Sequence, residues 1–256
     1  MKKSISLVLT FILLALCMST AAFAQESATV YVSIADKGTL VAAQEKVTVT
    51  DIDGDGTLTV NDALFAAHNA VYPGGASAGY GYYTHKDYGL SISKLWGDSS
   101  GNFGYYLNNS SCWSLADTVS SGDYLNAFIY SDSKYYSDKY CFFNVHSVSA
   151  SAKSDISLTL SGAGYDANWN PVTLPVAGAE ILVDGNATGV LTDSNGNATI
   201  QISSAGTHVI SAVSSSQILV PPVCKAEVSG GIFDSIIAAI TSFFTMLINF
   251  FRSLLG

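Results

Sequence analysis

Residues 27–50 alternate between apolar and polar side chains in two runs. Residues 29–34 read TVYVSI and residues 47–50 read VTVT, with turn-forming residues at 36–38 between them. Successive side chains of a strand point to opposite faces of its sheet, so alternation predicts a strand with one buried face. The two runs therefore predict two half-buried strands joined by a turn.

A helical period follows at residues 61–71. Leu64, Ala67 and Val71 recur at spacings of three and four, which places them on one face of a helix. We predict a short helix there. His68 lies in the same segment, and no second histidine or cysteine stands at ligand spacing from it, so we predict that it lies on the helix surface.

Residues 79–143 are dense in Tyr, Trp and Phe set between Gly, Ser and Asn. Strand-like pieces are residues 89–95, 104–107, 123–130 and 140–146. The aromatic side chains exceed what the core of a domain of this size requires, and tyrosines on loops are common in binding faces. We predict that some of these rings are core and that others line a binding surface.

Residues 154–228 contain short alternating strands with turn signals about ten residues apart, which predicts a β-sandwich. The run at residues 175–212 resembles bacterial Ig-like and carboxypeptidase-regulatory-like modules, and that resemblance implies a spacer on a cell surface. Asp193 and Asn195 lie in a TDSNG segment. It lacks a third acid and a twelfth-position ligand, so we interpret it as a turn.

The last segment is strongly apolar. Residues 232–255 read IFDSIIAAITSFFTMLINFFRSLL, and as a helix they would be about 36 Å long at ~1.5 Å per residue. That length allows the helix to cross a membrane. Its polar residues recur every three or four positions, so the helix also has the pattern of one that lies in the membrane interface, associates through that stripe, or packs on the protein itself. We predict membrane contact.

Residues 1–24 have the pattern of a signal peptide. Lys2 and Lys3 precede an apolar run at residues 5–16, and residues 22–24 read AFA, as at a cleavage site. A lipoprotein anchor at Cys17 is the alternative. Either reading predicts an exported protein, which we expect on the extracellular face of the membrane.

Charge and cysteine content further limit the kind of protein and the partners that the sequence allows. The chain has a formal net charge of −9, which argues against a nucleic-acid partner. Cys112, Cys141 and Cys224 follow the signal segment, and exported proteins commonly form disulfides. We predict a Cys112–Cys141 disulfide, with Cys224 either free or replacing one of the two.

Residues 51–62 read DIDGDGTLTVND, the spacing of an EF-hand calcium loop. Gly56 stands at position 6, where the chain turns sharply. The predicted Ca²⁺ ligands are Asp51, Asp53, Asp55, Thr57, Thr59 and Asp62. The aspartates would bind through their carboxylates, Thr57 at position 7 through its backbone carbonyl, and Thr59 at position 9 through its hydroxyl or a bridging water. The alternative is a plain acidic turn, because Asp-Gly pairs are common turn formers.

Two family resemblances accompany this loop. The loop resembles that of dockerins, which also use Asp at position 12, although a dockerin has two such loops. Residues 27–145 resemble the C-terminal β-domain of transcobalamin through TLTVNDAL at 57–64, GYYLN at 104–108 and GDY at 122–124. The second resemblance implies contact with a corrin ring, but the helical domain that completes such a site is not found in this sequence.

The predicted fold is mainly β. We expect a signal peptide (1–24), an α+β N-terminal β-domain with one short helix and the calcium loop (25–152), an Ig-like β-sandwich (153–228) and a C-terminal hydrophobic helix (229–256). The four histidines are scattered and no nucleophile motif is recognisable, so we predict no enzyme.

The function favoured by these patterns is a membrane-anchored cell-surface binding or adhesion protein with structural calcium. Its ligand would be a glycan, a small molecule or a protein. The alternatives are an architectural envelope protein that assembles through its last helix, and a corrinoid or haem-type carrier.

Overall fold

The structure is a computed structural model that describes residues 27–87, 89–230 and 232–255. The predicted signal peptide and Cys17 lie outside these residues. The fold is mainly β, as predicted. The strands are β1 (Ser27–Asp36), β2 (Thr39–Thr50), β3 (Gly81–His85), β4 (Gly89–Lys94), β5 (Phe103–Leu107), β6 (Ser110–Ser111), β7 (Tyr124–Ile129), β8 (Lys139–Phe143), β9 (Ser147–Ser151), β10 (Asp155–Tyr165), β11 (Pro171–Pro175), β12 (Ala179–Val183), β13 (Asn186–Leu191), β14 (Asn197–Gln201), β15 (Gly206–Ser214), β16 (Leu219–Val220) and β17 (Cys224–Ser229). The helices are α1 (Val60–Val71), α2 (Gly75–Gly79) and α3 (Ile232–Leu255).

The N-terminal unit is one sheet covered by a helix. Its strand order is β2-β1-β7-β5-β6. β1 and β2 form the predicted hairpin, and β1 pairs in parallel with β7. The buried face of this sheet packs against α1, and the core between them includes Val30, Leu64 and Leu125, which are all fully buried. The alternation in β1 and β2 and the helical period in α1 thus supply the two faces of one core.

Helix α1 begins with a capping box. The Thr59 hydroxyl accepts a hydrogen bond from the Asp62 backbone N–H, and the Asp62 carboxylate accepts one from the Thr59 N–H. The capping box satisfies the Asp62 N–H, while the Val60 and Asn61 N–H groups donate to the Asp117 and Leu115 carbonyls, both at 2.9 Å. The Asp62 charge also interacts favourably with the positive end of the helix dipole. The residues that end the acidic loop therefore also define where the helix starts.

His68 is buried, so its predicted position on the helix surface is wrong. Its Nδ1 donates to the Leu64 carbonyl at 2.7 Å, and its Nε2 accepts from the Trp96 backbone N–H at 3.1 Å. The ring lies among Tyr72, Tyr80 and Trp96. Tyr72 follows α1 and Tyr80 follows α2, whereas Trp96 comes from the turn after β4. The contact with Trp96 is a tertiary one that helical periodicity does not reveal.

Stability is expected to depend on pH through His68. Burial lowers the pKa of its ring below the usual 6.5, so the unfolded chain binds a proton in a pH range where the native chain does not. The stabilising contribution of His68 is therefore complete above the unfolded pKa and decreases as the pH falls below it. Chemical denaturation of wild type and His68→Gln should show a stability difference that narrows by up to about 2 kcal/mol between pH 7 and pH 5. A difference that stays constant over this range would contradict the assignment.

The C-terminal unit is a sandwich of two sheets. One sheet has the order β11-β10-β8-β16 with β14 on β10, and the other has the order β13-β12-β15-β17-β9. Leu160 from the first sheet and Ile181 and Ile210 from the second are fully buried in a single core. The predicted sandwich is present.

Strand pairing extends this unit further toward the N-terminus than residue 153, where we predicted it to begin. β8 pairs with β10 and β16, and β9 pairs in parallel with β17. The pairing is between strands distant in sequence, and the alternation within residues 139–151 does not show which sheet they join.

The predicted Cys112–Cys141 disulfide is wrong. Cys112, Cys141 and Cys224 are all free thiols in the described part of the chain. Cys112 packs against the N-terminal core, whereas Cys141 and Cys224 are buried in the sandwich core. Because β8 belongs to the second unit, the two cysteines that we paired lie in different cores. Cys141 instead directs its thiol at the Val220 carbonyl, 3.1 Å away.

A packed interface joins the two units. Tyr140 of β8 is 4% exposed, and its ring stacks on Tyr106 with 3.7 Å between ring centroids. Its hydroxyl donates to Asn109 Oδ1 at 2.9 Å and accepts from Asn126 Nδ2 at 3.0 Å. Phe128 packs into the same cluster.

A second contact between the units is polar. The Gln44 side chain in β2 donates to the His146 carbonyl at 3.0 Å and the Val223 carbonyl at 3.1 Å. Lys225 donates to the Gln44 carbonyl at 3.0 Å. Stacking and buried hydrogen bonds at separate places hold the units in one relative orientation.

Helix α3 leaves many large apolar side chains uncovered. The length of residues 232–255 allowed a helix that crosses a membrane; in the part of the chain that the structure describes, no helix combines the length and apolar character needed to cross one. Thr241, Thr245 and Asn249 line one groove along the helix. The exposed apolar residues of the helix are Ile240, Phe243, Phe244, Met246, Leu247, Ile248, Phe250 and Phe251.

Candidate metal loop and aromatic surface

The acidic loop brings together the first three predicted ligands. One carboxylate oxygen from each of Asp51, Asp53 and Asp55 lies within 4.8 Å of the others. Asp53 and Asp55 are exposed and Asp51 is half-buried at the end of β2. Three oxygens that converge in this way match the hard ligands that Ca²⁺ prefers.

Asp51 organises the loop backbone. Its Oδ1 accepts from the Gly54 N–H at 2.7 Å, and its Oδ2 accepts from the Gly56 N–H at 2.8 Å. Both glycines have positive φ, +76° and +85°, a conformation that favours glycine. The bond from Gly56 is the main reason that the pKa of Asp51 is lowered. The loop is therefore folded around an ionised Asp51.

Asp53 has the opposite electrostatic environment. Desolvation raises its pKa, and the nearby charge of Asp55 and that of Asp62 raise it further. A raised carboxylate pKa among other carboxylates indicates negative charge that is not fully compensated. A bound cation would provide that compensation, so the electrostatics of the loop fit a metal as well as its donor atoms do.

The other three predicted ligands, Asp62, Thr59 and Thr57, differ in how far they take part in the N-terminal cap of α1. Asp62 is fully buried, with Oδ2 accepting from the Thr59 N–H and hydroxyl at 2.8 and 2.7 Å and Oδ1 accepting from the Ile52 N–H at 3.1 Å. The Thr59 hydroxyl is thus used in the helix cap. Thr57 is exposed, and its N–H donates to Asp55 Oδ1 at 2.8 Å. Asp62 therefore fastens the loop to α1 and adds charge near Asp53.

The second acidic turn has a different construction. Asp193 Oδ1 accepts from the N–H groups of Asn195 and Asn197, both at 2.8 Å. These bonds close the connection between β13 and β14. The structure therefore supports our interpretation of this segment as a turn.

Two loops, one between β7 and β8 and one between β10 and β11, display exposed aromatic side chains. In the first loop, Asp132 Oδ1 accepts from the N–H groups of Lys134 and Tyr135 at 3.1 and 3.0 Å. Tyr136 has φ +53° and its hydroxyl donates to Asn102. The ring of Tyr136 is 53% exposed. A bulky residue with positive φ is unusual and marks a backbone that its surroundings hold in place.

The second loop joins β10 and β11 in the sandwich. Asp166 Oδ1 accepts from the N–H groups of Asn168 and Asn170 at 2.8 and 2.9 Å. Trp169 has φ +64° and is 80% exposed, and its ring lies 6.1 Å from that of Tyr165. An aspartate thus fixes each aromatic loop by accepting backbone hydrogen bonds.

Tyrosines at the junction of the two units connect these loops. Tyr130 contacts Tyr136 edge to face, with 5.1 Å between ring centroids. Burial raises the pKa of Tyr106 to about 12, with further contributions from the nearby phenols of Tyr130 and Tyr165. The phenols of Tyr130, beside the first loop, and of Tyr165, beside the second, thus both lie near Tyr106. We group the aromatic residues of this region as the aromatic surface, defined as Tyr130, Tyr135, Tyr136, Tyr165 and Trp169.

The sequence predicted the acidic loop in which Asp51, Asp53 and Asp55 lie close together, and the metal itself stays a prediction; it did not predict the aromatic surface. It identified an excess of aromatic residues in residues 79–143, whereas Tyr165 and Trp169 come from the next unit. The local signal that was available is an Asp followed by Asn or Ser within a short turn, as at Asp132 and Asp166.

Comparisons with known proteins give no assignment. No family model matches the chain, and no curated protein matches it, so the resemblances to dockerin and transcobalamin stay predictions. Among solved structures, the chain is similar to the D0-D1 domain of intimin (14% identity, 78% of this chain and 96% of that one, TM-score 0.27). It is also similar to the N-terminal four Ig domains of Dscam1 isoform 9.44 (13% identity, 56% of this chain and 30% of that one, TM-score 0.21). A third similar structure is that of murine CEACAM1b (10% identity, 80% of this chain and 100% of that one, TM-score 0.18). The chain spans 30% of the Dscam1 structure. With TM-scores this low, the description of the fold rests on the strands and cores given above.

Proposed function

We propose that this protein is an exported binding module that recognises an extracellular ligand through the aromatic surface. The observation that carries the proposal is the exposure of Tyr136 and Trp169 on two loops that aspartates hold in fixed conformations. Contact between large aromatic rings and water is unfavourable, so covering the rings with a ligand is favourable. Rings that are already held in place lose little conformational entropy when they bind. Both features are typical of a binding surface.

Of the three ligand classes that the sequence suggests, a glycan fits this surface best. The flat faces of aromatic rings contact the C–H groups of a pyranose, and the neighbouring Asn168 and Asn102 amides and the Asp132 carboxylate are hydrogen-bonding partners for hydroxyl groups. A small apolar molecule would favour an enclosed pocket instead. The exposed rings stand on open loops, which suits an extended oligosaccharide.

Calcium has a structural role in this proposal. The carboxylates of Asp51, Asp53 and Asp55 would hold Ca²⁺ at the end of β2, with Asp62 contributing charge from the start of α1. Extracellular calcium modules bind at roughly 10⁻⁴ to 10⁻³ M, and such sites stay filled outside cells. The ion would stiffen the connection between the sheet and α1.

Helix α3 would hold the module on the outer face of a membrane by lying in its interface. The support is the set of exposed phenylalanines and aliphatic residues, together with the polar side chains of Thr241, Thr245 and Asn249 that line one groove with Met246. A helix with such faces can place its apolar side among acyl chains while its polar side stays in the headgroup region.

A glycan array tests the binding function. The probe is the chain from residue 25 onward, labelled and applied in millimolar calcium. We expect binding to a subset of glycans, with at least tenfold weaker binding for Trp169→Ala and Tyr136→Ala. The matched control is Trp113→Ala, because Trp113 is 92% exposed but lies outside the aromatic surface. Absence of binding, or an equal loss with Trp113→Ala, would contradict the proposal.

The second candidate function is architectural. The groove at Thr241, Thr245 and Asn249 favours it, because polar side chains at this spacing can form hydrogen bonds between neighbouring helices. Removal of residues 232–255 separates the two functions: glycan binding should survive the deletion, whereas assembly would be lost. The corrinoid or haem-type carrier rests on family resemblance alone, and a visible-absorbance titration with cobalamin tests it.

A further inference from the structure

His208, at one edge of the sandwich, has a hydrogen-bond acceptor at each of its two ring nitrogens. Its Nδ1 lies 2.6 Å from Asp184 Oδ2, and its Nε2 lies 3.1 Å from the Ser204 backbone carbonyl oxygen. The Ser204 hydroxyl is 3.3 Å from the same nitrogen. Asp184 lies in the turn between β12 and β13, and Ser204 lies in the loop before β15, the strand that carries His208. The ring therefore bridges a turn and a loop that are separate in the chain.

These partners determine how many protons the ring carries. An ionised carboxylate and a backbone carbonyl only accept hydrogen bonds, so each ring nitrogen must donate if both contacts are to be hydrogen bonds. A neutral imidazole has one N–H and cannot donate from both nitrogens, whereas an imidazolium has two. The contacts at the two ends of the ring thus require a positively charged His208.

The groups around the ring favour the same form. The hydrogen bond to Asp184 raises the pKa of His208 above the usual 6.5; desolvation offsets part of this, and the Ser204 carbonyl and the charges of Asp184 and Glu227 raise the pKa further. Glu227 lies in β17, which pairs with β15, and its carboxylate oxygens accept from the Thr207 hydroxyl at 3.0 and 2.8 Å. Carboxylates from the turn and from the neighbouring strand therefore both stabilise the imidazolium.

The two ends of the bridge differ in strength. Asp184 Oδ1 accepts from the Val209 N–H at 2.8 Å, and the Asp184 N–H donates to the Val209 carbonyl at 2.8 Å, so the turn is also fastened to β15 through its backbone. A hydrogen bond to an ionised carboxylate is stronger than one to a neutral carbonyl. Nδ1 therefore keeps its proton when the ring becomes neutral, and Nε2 loses its own. The contact with the Ser204 carbonyl is the one that depends on the charge of the ring.

We propose that His208 is a pH-dependent clamp, which as an imidazolium holds the β14–β15 loop against the β12–β13 turn and releases that loop when Nε2 loses its proton. In the neutral ring the Nε2 lone pair faces the lone pairs of the Ser204 carbonyl oxygen, and this contact is repulsive. The Ser204 hydroxyl is then the group that donates to Nε2, and the loop rearranges to allow it. The loop connects β14, which pairs with β10 in one sheet, with β15 in the other. The clamp thus acts where the chain passes between the two sheets, separately from the binding function and the calcium loop.

The pH dependence of the clamp is opposite to that of His68. Because the pKa of His208 is raised in the folded chain, its stabilising contribution is complete below the unfolded pKa and is lost as the pH rises through the folded pKa. His68 instead stabilises the native state more at higher pH. Denaturation of the whole chain combines the two effects, so a decisive experiment observes His208 itself.

Nitrogen-15 NMR of the histidine rings provides that observation, because protonated and unprotonated ring nitrogens have well-separated chemical shifts. The sample is the chain from residue 25 onward in millimolar calcium, titrated from pH 5 to pH 10, and His208→Gln assigns the signals. We expect both nitrogens of His208 to be protonated at pH 6, and Nε2 alone to lose its proton with a midpoint above 6.5. The carbon-13 shift of the Ser204 carbonyl should change with the same midpoint, because that carbonyl loses its donor.

Three variants test the cause of the shift. Asp184→Asn should lower the midpoint of His208 by about one pH unit or more, and Glu227→Gln should lower it by a smaller amount. The matched control is Asp155→Asn in β10, whose carboxylate accepts from the Gln201 amide, and it should leave the midpoint unchanged. Circular dichroism confirms that each variant is folded.

Three results would overturn the proposal. The first is a midpoint of His208 at or below 6.5, and the second is a neutral ring with its proton on Nε2. The third is a Ser204 carbonyl signal that does not follow the titration, which would show that the ring does not hold the loop.

Discussion

Addition of 10 mM calcium to the chelated protein is expected to raise its melting temperature by about 5 to 10 °C. For a site with a Kd of about 10⁻⁴ M, this concentration stabilises the native state by about 2.7 kcal/mol. In a protein of this size each kcal/mol corresponds to roughly 2–4 °C. The physical cause is the cluster of Asp51, Asp53 and Asp55, whose oxygens lie within 4.8 Å of one another and repel until a cation binds.

Asp53→Asn is the variant that tests this site. The amide keeps the shape of the side chain and removes one charge, so the calcium-dependent rise in melting temperature should largely disappear. Melting in chelator should stay the same or increase slightly, because the raised pKa of Asp53 reflects a charge that is unfavourable in the loop without metal. Scanning calorimetry in calcium and in chelator measures both effects.

The control is Asp193→Asn in the other acidic turn. Its carboxylate accepts two backbone N–H groups, and an amide oxygen can accept them as well, so the calcium response should stay that of the wild type. Asp62 is unsuitable for the test, since its carboxylate caps α1 and its loss would destabilise the protein with or without calcium. Equal calcium responses of wild type and Asp53→Asn would show that residues 51–62 form a plain acidic turn and not a calcium site.

Local patterns predicted the parts of the fold that local forces determine. The alternation at residues 29–34 and 47–50 lies in β1 and β2, and the helical period at 61–71 lies in α1. The spacing of the acidic loop predicted that three carboxylates would meet, and they do. In each of these cases the pattern itself lies within one short segment of the chain, so it could be recognised without knowledge of distant partners.

Non-local pairing accounts for the errors. β8 and β9 join the sandwich through β10, β16 and β17. Cys141 therefore lies in a different core from Cys112, and the predicted disulfide between them was wrong. His68 is buried because residues after β4 fold over α1 and present the Trp96 N–H. Neither partner is close in sequence, and no period or motif in residues 61–71 or 139–151 specifies them.

The candidate sites show the same division. Asp132 and Asp166 are recognisable as turn formers, and the sequence predicted that some tyrosines would line a binding face. It did not predict that the phenols of Tyr130 and Tyr165 would both lie near Tyr106, because the interface at Tyr140 determines how the two units are oriented. A site assembled from two units depends on that interface.

Tyr140→Ala is expected to lower the free energy of unfolding by about 4 kcal/mol, the cost typical of truncating a large buried aromatic residue. The ring stacks on Tyr106 at 3.7 Å and lies 6.4 Å from the ring of Phe128, so its removal would leave a cavity in this cluster. Two amide groups, those of Asn109 and Asn126, also lose their hydrogen-bond partner. Denaturant titration of the wild type and the variant measures the loss.

Two further variants separate the contribution of the Tyr140 ring to stability from that of its hydroxyl. Tyr140→Phe keeps the ring and removes the hydroxyl, so it should cost only about 1 kcal/mol, and Tyr135→Ala, at an exposed position, should cost close to nothing. If the interface holds the two aromatic loops together, Tyr140→Ala should also weaken glycan binding under conditions where the variant is still folded, although Tyr140 is buried and outside the aromatic surface. Loss of stability without loss of binding would mean that each loop recognises the ligand independently, and similar stability of wild type and Tyr140→Ala would show that the units are not coupled through this ring.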